Sequence, residues 1–277
     1  MKKVIDNKTN NPNLQDRPSA LELAYKTYGQ RGPSIIILHG LFGSGRNWTN
    51  IAKKLEDKAQ VFVLDLRNHG NSPWKSLMTY EEMAMDVQHF IEKKNISLPF
   101  IVGHSMGGKV AMKLALTSPK IIKGLIIVDI SPDTYQDNFK NQLDSMQNIN
   151  LSVQTQRSEI ESHLKNEIND LSLTRFLMTN LRRDNRKFIW GINLNSISAN
   201  MSAISGFETT DEDLFSGPTM FIAGKNSSYI EHRHRAKILK LFPTAHIIKI
   251  KNASHWVHAD QPEVFAQTVT EFVESIG

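Results

Sequence analysis

The stretch that most constrains this chain is Phe100-Ile101-Val102-Gly103-His104-Ser105-Met106-Gly107-Gly108-Lys109-Val110. An apolar run stops at a serine flanked by glycines, and a helical pattern begins at once. A strand, G-x-S-x-G and a helix in that order make a nucleophile elbow. A strained turn lifts the serine hydroxyl out at the carboxyl end of the strand. Gly103 and Gly107 let the strand before the turn and the helix after it pass close together.

The flanking sequence has the strand–helix rhythm that such a turn requires. Residues 21–29 alternate like a half-exposed antiparallel strand. Residues 34–38 include four consecutive apolar side chains, the pattern of a strand buried on both faces. They lead into the glycine-rich run His39-Gly40-Leu41-Phe42-Gly43-Ser44-Gly45, after which Asn47 is placed to cap a helix through about residue 57. Residues 61–66 form a second buried strand, closed by the turn cluster Arg67-Asn68-His69-Gly70-Asn71-Ser72-Pro73. Thr79 and Glu82 have capping-box spacing, and Met83, Val87, Phe90 and Ile91 recur at helical spacing over residues 79–94. Another buried strand spans residues 124–130.

The rhythm breaks over residues 131–212, a polar stretch with short helical patterns at 160–169, 174–181 and 185–194. It is too long for a structureless loop and reads as an inserted helical lid. Strand–helix alternation resumes with a strand at 218–224, a helix at 228–241, a strand at 245–251 and a closing helix from Pro262. The expected fold is therefore α/β, a mostly parallel central sheet with helices on both faces. A loose lead-in covers residues 1–19, the core 20–130 and 213–277, and the lid 131–212.

Composition removes several alternatives. The 277 residues contain no cysteine, which excludes a disulfide framework, a thiolate metal site and a cysteine nucleophile. The opening Met1-Lys2-Lys3 has no apolar run after it, so no secretory leader is expected, and a cytoplasmic location fits the lack of cysteine. No stretch approaches the ~20 apolar residues of a membrane span. The net charge of +5 is spread along the chain without a nucleic-acid fold signature, so it reads as a solvated surface. A monomer or a homodimer is expected.

An activated serine needs a base, a group that orients the base, and donors for an oxyanion. On this architecture the chain order is Ser, then acid, then His. The loop after the last strand, Asn252 to His258, offers two histidines, and His255 comes first where the loop turns back across the serine. The loop after the preceding strand, Gly224-Lys225-Asn226-Ser227-Ser228, has no carboxylate. Asp129, at the end of the apolar run Leu125-Ile126-Ile127-Val128, is then the candidate acid, because a carboxylate there is unfavourable unless paired. Its alternative role is to cap the Ser131-Pro132 turn, with Asp133 and Glu231 in reserve as acids. The backbone amides of Met106 and Leu41 are the expected oxyanion donors, with Phe42 as the alternative to Leu41.

Five side chains are candidates for substrate contact: Phe42, His104, Arg182, Trp190 and Trp256. His39 and His104 also read as structural, hydrogen-bonded histidines, and Arg67-Asn68-His69 as ties for their turn. Arg182-Arg183 reads either as a solvated face or as a carboxylate clamp. Trp190 and Phe176 line an acyl pocket or pack the lid. No metal spacing is present: His232 and His234, at i and i+2, do not share a helix face.

The blocks Leu38-His39-Gly40-Leu41-Phe42-Gly43-Ser44, Asp65-Leu66-Arg67-Asn68-His69-Gly70-Asn71-Ser72-Pro73, Gly103-His104-Ser105-Met106-Gly107-Gly108-Lys109, Val128-Asp129-Ile130-Ser131-Pro132 and Ser254-His255-Trp256 resemble the α/β-hydrolase superfamily. More narrowly they resemble the YbfF-type esterases, over residues 20–277 and least in the lid. The resemblance implies hydrolysis of small-molecule acyl esters, thioesters included, without a metal or organic cofactor. It also places the triad acid after the strand that follows the nucleophile strand, at Asp129. Two other classes stay open: C–C bond cleavage of a carboxylated metabolite, with Arg182 or Arg183 holding the carboxylate, and a non-catalytic ligand-binding protein.

Overall fold

The computed structural model describes residues 20–135, 139–185 and 187–277, so the lead-in expected over residues 1–19 lies outside the described residues. The chain runs through β1 (Tyr25–Tyr28), β2 (Ser34–Leu38), α1 (Thr49–Leu55), β3 (Gln60–Leu64), α2 (Tyr80–Lys93), β4 (Phe100–His104), α3 (Met106–Thr117) and β5 (Gly124–Val128). Then come α4 (Lys140–Gln147), α5 (Arg157–Ile168), α6 (Leu171–Leu177), β6 (Leu181–Asp184), β7 (Lys187–Trp190), α7 (Leu194–Ala199) and α8 (Met201–Ser205). It closes with β8 (Thr219–Gly224), α9 (Arg235–Leu241), β9 (Ala245–Ile250), α10 (Val257–Asp260) and α11 (Pro262–Ile276).

Among the described residues seven strands form one sheet in the order β1-β3-β2-β4-β5-β8-β9, with only β1 antiparallel to its neighbour. Alternate side chains of each strand point to opposite faces, and the core divides accordingly. Ile35, Ile37, Val61, Val63, Val102 and Ile126 pack on the face covered by α1 and α11. Ile36, Leu38, Ile101, Leu125 and Ile127 pack on the face covered by α2 and α3. Continuous apolar runs are needed because both faces are covered. Each of Ile35 to Leu38 is at most 1% exposed, worth about 1.5–3 kcal/mol per side chain.

Local signals account for the helices. Thr79 Oγ1 accepts from Glu82 N at 3.3 Å and starts α2, which buries Met83, Val87, Phe90 and Ile91 against the sheet. Behind the elbow, a Cβ on Gly103 would lie 2.3 Å from Gly107 O, and one on Gly107 would lie 2.5 Å from the carbonyl oxygens of Leu38 and His39. Helix α3 can therefore pass close to β4 and to the end of β2 only where both residues lack side chains.

Three local expectations differ from the structure. Asn47 does not cap α1: it lies in a 3-10 turn at Gly45–Trp48, where its Oδ1 accepts from Ser44 N at 2.7 Å, and α1 starts at Thr49. Where a helix is expected over residues 185–194, Lys187–Trp190 is strand β7, paired antiparallel with β6 in a hairpin so that Leu181 lies opposite Trp190. Asn185 turns it with φ of 44°, and Phe188 is buried between exposed Lys187 and Ile189, a two-residue alternation. The helix expected over 228–241 begins later. Glu231 is extended and caps a 3-10 turn at His232–His234, and α9 starts at Arg235.

Between β5 and β8 the chain leaves the sheet, and α4 to α8 with the hairpin pack onto the same core cluster as α2 and α3. Among the described residues no helix is long and apolar enough to cross a membrane.

Candidate active site

The strand order reverses direction around β2: β3 lies on one side and β4 on the other. Such a switch point opens a crevice at the carboxyl ends of the strands. Three segments meet there: the elbow after β4, the residue after β5 and the loop after β9.

Ser105 has φ of 52° and ψ of −118°, and its N–H donates to Val128 O at 3.0 Å. Asp129 has φ of 49° and is fully buried, with its N–H on Ile222 O at 2.8 Å. Phe42 is also left-handed, with φ of 59°. Left-handed backbone at a non-glycine residue costs about 1–3 kcal/mol and persists where the surroundings over-determine it. Three such residues at one crevice are held by sheet ladders and packed loops.

Asp129 lies among donors. Its Oδ1 accepts from Gly224 N at 2.9 Å, and its Oδ2 accepts from Ser227 Oγ at 2.5 Å and from His255 Nδ1 at 2.8 Å. With Nδ1–H committed to the carboxylate, His255 keeps Nε2 free to accept a proton. Tyr229 stacks on the His255 ring, with centroids 4.1 Å apart and planes at 26°. His104 donates from Nε2 to His255 O at 2.9 Å. Burial first, then the neighbouring His255 and His258, hold His104 well below the usual histidine range, so it braces the loop as a neutral ring.

The loop after β2 is pinned by two further histidines. His39 donates from Nδ1 to Gly40 O at 2.8 Å and accepts Leu66 N at Nε2 at 2.9 Å. His69 donates from Nδ1 to Arg67 O at 2.9 Å and accepts Phe42 N at Nε2 at 3.3 Å. Phe42 N–H is thereby engaged, while no acceptor takes Leu41 N–H among the described residues. Met106 opens α3, so its N–H is one of the unpaired donors of a helix start. Asn180, from the segment between β5 and β8, donates to Phe42 O at 2.7 Å and ties that segment to this loop.

A cavity of about 250 Å³ joins these groups, lined by Leu41, Phe42, Ser105, Phe176, His255 and Trp256 among others. His104 also lines it. Arg182 and Trp190 are not among its lining residues. Arg182 sits on exposed β6 and donates to Asn71 Oδ1 at 3.0 Å, and Trp190 donates from Nε1 to Met146 O at 3.0 Å. Of the two loop histidines, His255 meets Asp129. His258 lies on α10, stacked on Trp48 with centroids 3.9 Å apart and planes at 12°. Asp133 pairs with Lys237 at 3.0 Å and Glu231 with Arg233 at 2.8 Å. Arg67 is buried, forked onto Asp86 at 2.7 and 2.8 Å and bonded to Glu82 at 3.0 Å, so it ties its turn to α2.

Sequence reasoning passed over Ser227, Tyr229 and Asn180. Ser227 had a signal: it lies in the loop without a carboxylate, opposite the strand that supplies Asp129. Tyr229 and Asn180 had none, because their contacts depend on chain segments far apart in sequence. Among the described residues no group of three metal-ligating side chains is assembled.

A family model described as alpha/beta hydrolase fold matches residues 33–262. The chain is 38% identical over 266 residues to a Danio rerio protein named sn-1-specific diacylglycerol lipase ABHD11, covering 92% of this chain and 84% of that one. It is 30% identical over 244 residues to the Escherichia coli protein named Esterase YbfF, covering 86% of this chain and 92% of that one. A solved structure described as a marine microorganism esterase aligns with a TM-score of 0.89 at 38% identity, covering 91% of this chain and 100% of its own.

Proposed function

The chain belongs to the alpha/beta-hydrolase family and is a carboxylic-ester hydrolase, and we propose that Ser105, His255 and Asp129 are its catalytic triad. The observation that carries the assignment is the 2.8 Å bond between His255 Nδ1 and buried Asp129, in a loop lining the same cavity as Ser105.

Ser105 Oγ attacks the ester carbonyl carbon as His255 Nε2 takes its proton, and the imidazolium is stabilised by Asp129. The N–H groups of Leu41 and Met106 receive the oxyanion. Leu41 is chosen over Phe42 because Phe42 N–H is already bonded to His69. As the C–O bond breaks, His255 passes the proton to the leaving alcohol. Water then attacks the acyl-enzyme, giving its proton to His255, and the acid leaves as Ser105 recovers its hydrogen. Thioesters present the same carbonyl carbon and fall within the proposal. Residues 131–212 serve as the lid, supported by Phe176 in the cavity wall and by the Asn180 bond to Phe42 O. Carbon–carbon cleavage with an arginine clamp is disfavoured, since Arg182 and Arg183 line a separate groove.

The test is labelling with a fluorophosphonate, peptide mapping, and turnover of aryl esters and thioesters by wild type and Ser105→Ala. The expected result is a single adduct on Ser105 and loss of turnover in the variant. Undiminished turnover in Ser105→Ala would sink the assignment.

A further inference from the structure

A second, smaller chamber also touches Ser105. It measures about 30 Å³, and its apolar wall includes Leu41, Met106, Ile130 and Ile204. His255 lines the large cavity and is not among the residues lining this one.

Beside Ser105, the small chamber's wall holds Lys109, Ser205 and three tyrosines, Tyr80, Tyr135 and Tyr229, of which Tyr80 donates its hydroxyl to Ile204 O at 2.5 Å and Tyr135 to Tyr229 O at 2.7 Å. Lys109 lies one helical turn beyond the elbow, with its own N–H on Ser105 O at 3.1 Å. Its side chain is buried at 2% exposure. The ammonium donates to Ser205 O at 2.9 Å and Gly206 O at 2.8 Å, and sits 5.0 Å from the Tyr135 ring. An ammonium has three donors, and the third has no acceptor among the described residues. Asp133, the carboxylate that acts on it, is already paired with Lys237. Burial pushes the Lys109 amine down to about 7, consistent with a cation short of a counter-charge. Ser205 Oγ is buried with no partner among the described residues. Buried polar groups are normally satisfied. A spare donor and an unpaired hydroxyl at one chamber beside the nucleophile are groups suited to a substrate oxygen.

The division of the substrate follows from proton transfer. A leaving alcohol must receive a proton from His255, so it occupies the cavity that His255 lines. The acyl group stays on Ser105 and takes the other space. By this measure a water needs about 10–15 Å³, so the chamber admits about two water-sized groups beyond the carbonyl.

We propose that this chamber is the acyl subsite, and that Lys109 and Ser205 select a short acyl group carrying an acceptor oxygen next to the ester carbonyl. The proposal rests on Ser105 as the nucleophile. The shared chemistry is the acceptor oxygen, and its source is a neutral hydroxyl or a carboxylate.

The experiment compares kcat/KM for matched aryl esters of propionate, glycolate and oxalate (as the half ester). Each is run on wild type, Lys109→Met, Ser205→Ala and Ser105→Ala. Lys109→Met also removes two bonds to backbone carbonyls and can disturb the fold. Ser205→Ala deletes only an unpaired hydroxyl and keeps the test open if the first variant does not fold. Wild type is expected to prefer an oxygenated ester over propionate by about 10- to 100-fold, the worth of one hydrogen bond to a charged group. Lys109→Met should bring that ratio close to one, and Ser205→Ala should lower it. Which oxygenated ester is preferred identifies the hydroxyl or the carboxylate. A wild-type ratio at or below one with turnover that depends on Ser105, or a ratio that neither substitution changes, overturns the acyl subsite alone. Turnover that survives Ser105→Ala overturns the subsite and the triad together.

Discussion

Mild acid should destabilise this protein through its buried histidines. Burial, with the charge of His39 second, pushes His69 from an ordinary 6.5 down to about 3. Burial, with the charge of His255 second, takes His258 from 6.5 to about 3 as well. Both rings are held neutral for visible reasons. His69 Nε2 accepts Phe42 N–H, so a proton there breaks a bond to the loop after β2. His258 Nδ1 is buried without a partner among the described residues, so a proton added there has no acceptor. The folded-state values are depressed, so the unfolded chain binds protons first. Stability is therefore full above about pH 6.5 and falls as the pH drops toward the folded-state value of about 3. At about pH 5 each histidine has withdrawn roughly 2 kcal/mol, or about 4 kcal/mol for the pair. His39 and His104 are displaced in the same direction, so the total loss is larger. Ordinary carboxylates titrate near pH 4 and contribute little in this window. The assay is urea unfolding followed by tryptophan fluorescence from about pH 7.5 to pH 5, on wild type and His258→Phe. The phenyl ring keeps the stack on Trp48 and removes one titration, so the variant should lose about 2 kcal/mol less over the same range. An unfolding free energy that stays flat across the range, or an unchanged slope in His258→Phe, would refute the reasoning.

Arg67→Met leaves Asp86 and Glu82 buried without their partner, which should cost about 3–5 kcal/mol and lower Tm by on the order of 10 °C in calorimetry. Ser227→Ala removes one of the donors to Asp129 and leaves Gly224 N in place. Steady-state kinetics should show kcat about 10-fold lower, a smaller loss than deleting the carboxylate itself. Asn180→Ala frees Phe42 O from the segment above it. It should lower kcat by roughly 2- to 10-fold with unchanged circular dichroism if the loop after β2 supplies an oxyanion donor.

The sheet was legible because parallel strands covered on both faces need uninterrupted apolar runs, and residues 34–38, 100–104 and 124–128 are such runs. The elbow was legible because its glycines are set by close backbone crossing, a local requirement. Asp129 could be read from its unfavourable setting at the end of an apolar strand. The hairpin at Leu181–Trp190 was hidden because its alternation is confined to Phe188, buried between exposed Lys187 and Ile189, a pattern too short to separate two periods. His255 and His258 are three residues apart, and which ring turns toward Asp129 depends on how α10 packs against Trp48. Ser227, Tyr229, Asn180 and the ammonium of Lys109 act across long sequence separations, and no local pattern records where those segments meet.

The most direct test of the central claim is the kcat of Asp129→Asn on a good aryl ester. Asparagine keeps the shape of the side chain and removes the charge that lies 2.8 Å from His255 Nδ1. A triad acid at Asp129 predicts a fall in kcat on the order of 10⁴-fold. A kcat within about tenfold of wild type, with the variant folded, would contradict it.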